Sequence, residues 1–246
     1  MSQALFYTKS GLMFPGFTLE QVQKVRRALV EDFGLSELQM AESAAFSLAM
    51  VLRYSLGLSS AEAQIAMVVG NGFGSLVALA AARQMQNAGS KVNLVIPPQL
   101  LDLNCEKAVS VAQRMGVGVF EEEKFSEALE SVHAIVLANV DVNTSVPQYN
   151  SQLMEFLNES SIPVHCVDAP PGVNLSTGEV SGNVVYAAST VAVGTPLAAL
   201  HAAREVVGRM YVCDISIPKS LYKIANTDLG QIFTEQPVQQ IFPKVE

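Results

Sequence analysis

Two short stretches of this chain carry residue types that can bind a ligand or move a proton. The first is Gly70-Asn71-Gly72-Phe73-Gly74-Ser75, between the apolar run Ile65 to Val69 and a helix-like run from Leu76. Glycines at a strand-to-helix junction let the backbone approach a ligand, and free N–H groups at a helix start favour anions. The second is Asp168-Ala169-Pro170-Pro171-Gly172-Val173-Asn174, after Val164 to Val167. Its prolines stiffen the loop that displays the carboxylate. Asp168 can bind a hydroxyl or act as a base there, or it can accept hydrogen bonds from its own loop; both roles stay open. Asn139 follows a third apolar run, Ala134 to Ala138. The candidate ligand-binding residues are therefore Gly70, Asn71, Gly72, Phe73, Gly74, Ser75, Asn139, Asp168 and Asn174, with Asp168 the catalytic candidate if a reaction is run.

Other chemistries find less support. The glycine turn falls one residue short of a G-x-G-x-x-G fingerprint, because Ser75 stands at the third glycine. The next apolar run, Val92 to Ile96, ends in Pro97-Pro98 and not in the acidic residue that would hold a ribose, which argues against a dehydrogenase. A tight turn without a ligand is the plain alternative. There is no G-x-S-x-G elbow for a serine hydrolase. His133, His165 and His201 fall in separate elements, and His165 reads as a packed or edge residue. Cys105, Cys166 and Cys213 have no metal-ligand spacing and read as buried free thiols of a reducing compartment, hence a cytoplasmic location. Lys24, Arg26 and Arg27 are the densest basic spot and read as a solvated helix face.

Alternating strands and helices must position these loops. Thr18 to Asp32 is helical, with Thr18 as N-cap ahead of Leu19, Val22, Val25 and Leu29. Ser36 opens a second helix with Leu38, Ala41, Ala45, Leu48 and Leu52 on one side. Strands follow at Ile65 to Val69, Val92 to Ile96, Val117 to Phe120, Ala134 to Ala138 and Val164 to Val167. Helices at Leu76 to Asn87, Asp102 to Met115, Phe125 to Glu130 and Val146 to Leu157 separate them. Two more strands are expected at Thr190 to Val193 and Met210 to Ile215, ahead of a Gln- and Pro-rich tail. This alternation predicts a three-layer, Rossmann-like α/β fold with a doubly wound, mostly parallel sheet and two extra N-terminal helices. Ligands then bind beyond the carboxyl ends of the strands, where both candidate loops fall.

Composition agrees. The chain has 246 residues, 50% of them hydrophobic and 15% charged, with mean hydropathy +0.30 and formal charge −8. That suits one domain, residues 1–246, with a core of about 17–222 and a tail of 223–246, whose sheet is buried on both faces. The apolar surplus also points to a subunit interface. Acidic balance argues against DNA and against a strong RNA surface. The most membrane-like stretch, Val184 to Ala203, is interrupted by Gly194, Thr195 and Pro196 and reads as strand, loop and short helix.

In order and spacing, several stretches together resemble the YjeF N-terminal domain family, whose enzymatic members are NAD(P)H-hydrate epimerases. They are Met40-Ala41-Glu42-Ser43-Ala44, Gly70-x-Gly72 leading to Ala82-Arg83 and Ala88-Gly89, Asp168-x-Pro170-x-Gly172 with Thr177-Gly178, and Gly208 to Pro218. The resemblance spans roughly Phe17 to Tyr222. Enzymes of the family follow Gly-x-Gly with Asn-Asn-Gly-Gly-Asp, which grips substrate and a potassium ion; this chain has Phe73-Gly74-Ser75-Leu76-Val77. Leu137 stands near a family aspartate, Pro171 replaces the serine of Asp-x-Pro-Ser-Gly, and Thr195-Pro196-Leu197 replaces Ala-Pro-Lys.

These departures lead to the expectation of a non-catalytic, homodimeric scaffold with a vestigial nucleotide cleft, similar to the degenerate YjeF domain of mRNA-decapping enhancers. It would need no cofactor and would bind a protein partner or a nucleotide-like small molecule. The alternatives are an NAD(P)H-hydrate epimerase that uses Asp168, with potassium as its ion, and an RNA-decapping-associated scaffold or nucleotide sensor.

Overall fold

Nearly unbroken apolar strands alternate with amphipathic helices, and the chain folds accordingly. The structure, a computed structural model, describes residues 4–59, 61–98, 101–138, 140, 142, 151–180, 182–225, 229 and 232–244. A short hairpin, β1 (Leu5–Thr8) and β2 (Met13–Pro15), precedes helices α1 (Leu19–Glu31) and α2 (Glu37–Met50). Both helices start with a capping box, Thr18 with Gln21 and Ser36 with Gln39, which satisfies amides that the helix itself leaves open. Then come β3 (Gln64–Val69), α3 (Phe73–Asn87), β4 (Lys91–Ile96), α4 (Leu103–Arg114), β5 (Gly118–Glu121) and α5 (Phe125–Ala128). They are followed by β6 (Ala134–Ala138), α6 (Ser151–Glu159), β7 (Val164–Val167) and β8 (Ser189–Val193). The last elements are α7 (Ala199–Ala202), β9 (Arg209–Cys213), α8 (Lys219–Tyr222) and β10 (Val238–Pro243).

One sheet holds all the strands, in the order β2-β1-β10-β9-β8-β7-β6-β3-β4-β5. β3 to β9 run parallel, and β10, β1 and β2 extend one edge antiparallel. The order reverses between β3 and β6, which makes that gap the topological switch point. Successive strand residues face opposite layers. Ile65, Met67 and Val69 join the core under α2 and α3, while Ala66 and Val68 join a second core under α6. This is the expected three-layer arrangement. Leu137 belongs to the second core and is buried among apolar side chains.

The structure departs from the sequence reading at the edges. β1, β2 and β10 carried no expected element, and β10 inserts the tail between β9 and β1. Val238-Gln239-Gln240-Ile241 gives no clean apolar signal because its pairing is made by backbone, with Gln240 opposite Tyr211 and Ile241 opposite Met210. Leu38 lies 50% exposed, whereas Ala41, Ala45, Leu48 and Leu52 are buried as expected. The helix expected from Val146 is described from Ser151; residues 143–150 lie outside the described set. Among the described residues, no helix is long and apolar enough to cross a membrane.

His165 is a core residue at the far end of the sheet from the candidate loops. It is 4% exposed and its Nδ1 lies 2.9 Å from Ser189 Oγ. Burial, aided by the charge of Arg209, pulls its pKa down to about 4. The folded chain therefore keeps His165 neutral while the unfolded chain protonates it below about 6.5. Stability is full above that pH and falls as pH drops toward 4, by roughly 3 kcal/mol from this residue. Denaturant unfolding between pH 7.5 and 4 should show a shallower loss for His165→Asn than for the wild type; parallel curves would refute it.

Candidate functional site

The register brings the candidate loops together. Val69 pairs with Ala138, Leu137 with Cys166, and Val167 with Val191, so the residues after β3, β6, β7 and β8 open on one end of the sheet. Asn139 lies outside the described residues.

The glycine turn is held mainly by its own hydrogen bonds. Ser75 is fully buried; its Oγ donates to Ala138 O at 2.6 Å and accepts from Gly70 N at 2.8 Å. Gly72, at φ 90° and ψ −178°, is the N-cap of α3, in a conformation that favours glycine. Gly74 has its Cβ position 3.6 Å from Val167 Cγ1 and 3.7 Å from Ala138 O, so helix and sheet approach closely here. The anion-attracting amide of Gly72 is already used. It donates to Asp102 Oδ2 at 3.2 Å, and Asp102 N donates to Asn71 Oδ1 at 2.6 Å. Burial would raise the Asp102 pKa, but bonds from the amides of Cys105, Gly72 and Asn104 outweigh it and the net shift is downward. An intramolecular carboxylate thus occupies the place at this amide that a phosphate would take.

Asp168 sits where the chain leaves β7, 3% exposed, in the left-handed region at φ 62°. A non-glycine residue held there marks a position that surrounding structure over-determines. Its Oδ1 accepts from Val193 N at 3.0 Å, and both its oxygens accept from Arg26 Nη2, at 3.0 and 2.8 Å. The partners come from β8 and α1. The reading in which Asp168 serves its own loop is not the arrangement found. Oδ2 accepts only the Arg26 bond among the described residues, which leaves it acceptor capacity for a ligand hydroxyl.

Arg26 corrects the sequence reading outright. It is not on a solvated face: with Val22, Val25 and Leu29 it forms the buried stripe of α1 and is 8% exposed. Its Cζ lies 4.9 Å from the centroid of the Phe73 ring, and its Nη2 also approaches Val193 O at 3.4 Å. Nε and Nη1 are buried with no hydrogen-bond partner among the described residues. The signal was present, since position 26 continues the spacing 22, 25, 29; charge type masked it. Phe73 is itself buried and backs the guanidinium. Asn174 is exposed, and its Oδ1 accepts from Ser176 N and Thr177 N at 2.9 and 3.1 Å, so it shapes its own loop and is not brought to Asp168 by any bond.

The potassium ion implied by the family resemblance would find few uncommitted side-chain oxygens among the described residues. A hard monovalent cation needs oxygen ligands. Ser75 Oγ, Asn71 Oδ1 and both Asp102 oxygens are engaged in the bonds described above or with the amides of Asn104 and Cys105. The Asp168 carboxylate already faces a guanidinium. No cluster of three or more His, Cys, Asp or Glu among the described residues could hold a metal. The cysteines are buried and free, and burial pushes all three thiols up, away from nucleophilic use.

Comparison with known proteins places the chain in a family. Residues 37–199 match the family described as YjeF-related protein N-terminus. A bifunctional NAD(P)H-hydrate repair enzyme of Thermofilum pendens is 30% identical over 82% of this chain, which spans only 40% of that protein's length. An NAD(P)H-hydrate epimerase of Weissella koreensis is 24% identical over 83% of this chain and 93% of its own. The crystal structure of yeast ynu0 superposes with a TM-score of 0.79 at 20% identity, over 93% of this chain and 99% of that one, which establishes the shared fold.

Removing one member of the Arg26–Asp168 pair leaves a buried charge alone. Asp168→Asn and Arg26→Met should each cost about 3–5 kcal/mol in denaturant unfolding, and the double variant should lose less than the two singles together. Additive losses would show that the two side chains act independently.

Proposed function

This chain belongs to the YjeF-related N-terminal family, and from that premise we propose that it is an NAD(P)H-hydrate epimerase, interconverting the R and S hydrates of NADH and NADPH. The expectation of a non-catalytic scaffold is corrected by the relatives, which carry the name NAD(P)H-hydrate epimerase and match 72% or more of this chain. That expectation counted the polar side chains missing from the loops and left out the arginine that α1 brings to Asp168.

The observation that carries the reading is Asp168. Inverting a hydroxyl-bearing ring carbon that also carries the ring nitrogen requires a bond at that carbon to break and re-form. A group that takes the hydroxyl proton lets the C–O electrons form a carbonyl as the C–N bond opens onto nitrogen; the nitrogen then adds to the other face, and the proton returns to oxygen. Asp168 is a carboxylate at a strand end beside the switch point, held at φ 62°, with Oδ2 open to a further donor. Phe73 packs against the guanidinium that pairs with Asp168, and Val193 O lies 3.4 Å from Arg26 Nη2. Hydroxyl binding and proton exchange at Oδ2 are the roles assigned to Asp168. The Gly70–Ser75 turn shapes the wall of the site and leaves the Gly72 amide to Asp102.

Two finer readings accompany this one. The chain forms a homodimer, supported by exposed Leu38, Phe46, Leu103, Val111 and Met115 on and beside α2 and α4. It works in the cytoplasm, supported by the three free cysteines.

Purified chain added to a hydrate preparation enriched in one NADHX epimer should speed its equilibration, followed by chromatographic separation of the two. Asp168→Asn should slow this by about 10²- to 10⁴-fold. Equilibration no faster than in buffer would remove the assignment. Sedimentation showing a monomer at micromolar concentration would remove the dimer.

A further inference from the structure

A buried guanidinium with spare donors is hard to explain as packing alone. Arg26 commits one nitrogen, Nη2, to Asp168 and Val193 O. Its Nε–H and Nη1–H are buried and have no hydrogen-bond partner among the described residues. Dry, unpaired donors on a charged group are strongly unfavourable, so these two call for a partner, ligand or ordered water, that the described residues do not supply. Their position is specific. The Arg26 head group lies against the ring of Phe73, the first residue of α3, and reaches the carboxylate at the end of β7 and the last carbonyl of β8. It therefore bridges the glycine turn and Asp168, at the end of the sheet where ligands of this fold class bind.

The balance of charge narrows the ligand. Arg26 and Asp168 neutralise each other, and the nearby amide of Gly72 is matched by Asp102. A neutral oxygen, such as a carboxamide carbonyl or a sugar hydroxyl, can take two N–H bonds here without adding an uncompensated charge, whereas a phosphate would add one. The same pairing bears on the absent ion. A fixed guanidinium stands against the carboxylate, and the side-chain oxygens of the turn are engaged elsewhere. A monovalent cation would meet like charge and too few oxygens.

We propose that Arg26 is a ligand-contacting residue and the built-in cation of the cleft. Its Nε–H and Nη1–H donate to a neutral oxygen of the bound nucleotide, and its charge makes the site independent of potassium. The identity of the nucleotide rests on the epimerase reading; the donors and the charge balance do not.

The test combines one variant, one salt comparison and one spectrum. Arg26→Lys keeps a positive charge near Asp168 but loses the forked donors. It should raise the KM for NADHX and the Kd for NADP+ about tenfold. Wild-type rate and melting temperature should agree within about twofold and a degree or so across KCl, NaCl and choline chloride at equal ionic strength. In the wild type, a side-chain N–H spectrum should show the Arg26 Nε–H signal moving on addition of NADP+, a reading that holds even where the lysine variant fails to fold. An unmoved Nε–H signal, or an unchanged Kd in a folded lysine variant, overturns the contact. Saturable activation or stabilisation specific to potassium overturns the built-in cation. If NADP+ binds through Arg26 but no hydrate is epimerised, the reaction assignment fails and this inference stands. If turnover is normal and indifferent to Arg26→Lys, the reverse holds.

Discussion

Asp168 and Arg26 are buried together at the carboxyl ends of β7 and β8, and a charge taken out of water must be compensated where it stands. That requirement reaches far along the chain. Arg26 is supplied by α1, so α1 has to dock at the end of the sheet with its register fixed to within one residue. The Thr18–Gln21 capping box sets where the helix starts, and Val22, Val25 and Leu29 set which face is buried. On the other side, Asp168 must enter the left-handed region to aim its carboxylate at β8, where Val193 N holds Oδ1. Neither partner is tenable alone at this depth. The pair ties the first helix of the chain to the loop after a central strand, 142 positions away.

The glycine turn answers to the same geometry. Phe73 has to place its ring against the guanidinium, and Gly74 has to let α3 come close to Val167 and Ala138. Ser75 then closes the turn by bonding to Gly70 N and Ala138 O, tying the end of β3 to that of β6 across the switch point. Asp102 completes it by accepting from Gly72 N at the start of α3, where a negative charge also suits the helix dipole. A turn that in outline suggests a phosphate cradle is here closed by its own hydrogen bonds, and the buried charged pair lies toward α1 and β7.

This arrangement explains what was legible in the sequence. Parallel strands buried on both faces give unmistakable apolar runs, so β6 and β7 were read to the residue, and Thr18 and Ser36 announced their helices by hydrogen-bonding chemistry confined to one turn. β10 was not legible, because an antiparallel strand containing Gln239 and Gln240 is fixed by backbone pairing to β9. The position of Asp168 at the end of β7 was legible because the apolar run of that strand stops at Val167. Arg26 was not, because a cation inside an amphipathic pattern is by default assigned to water, and only the position of its partner reverses that default. The functional misreading followed from the same blind spot. Oxygen-bearing side chains missing from the loops are visible residue by residue, whereas a compensating charge from a distant helix becomes visible only when the fold brings it in.

A tethered guanidinium and a free metal ion solve the same electrostatic problem with different consequences. An ion must be bound from solution and surrounded by several oxygens, which constrains many loop residues at once. A guanidinium arrives with the fold, costs its ordering only once, and directs its N–H groups in one plane, so it stabilises a carboxylate with one nitrogen and keeps others for a ligand. With Arg26 against Asp168, Phe73 packs on the guanidinium and Ser75 bonds within its own turn and to β6. On the proposed reading, the self-bonded turn and the arginine buried in α1 belong to one electrostatic arrangement, and the turn taken alone does not reveal it.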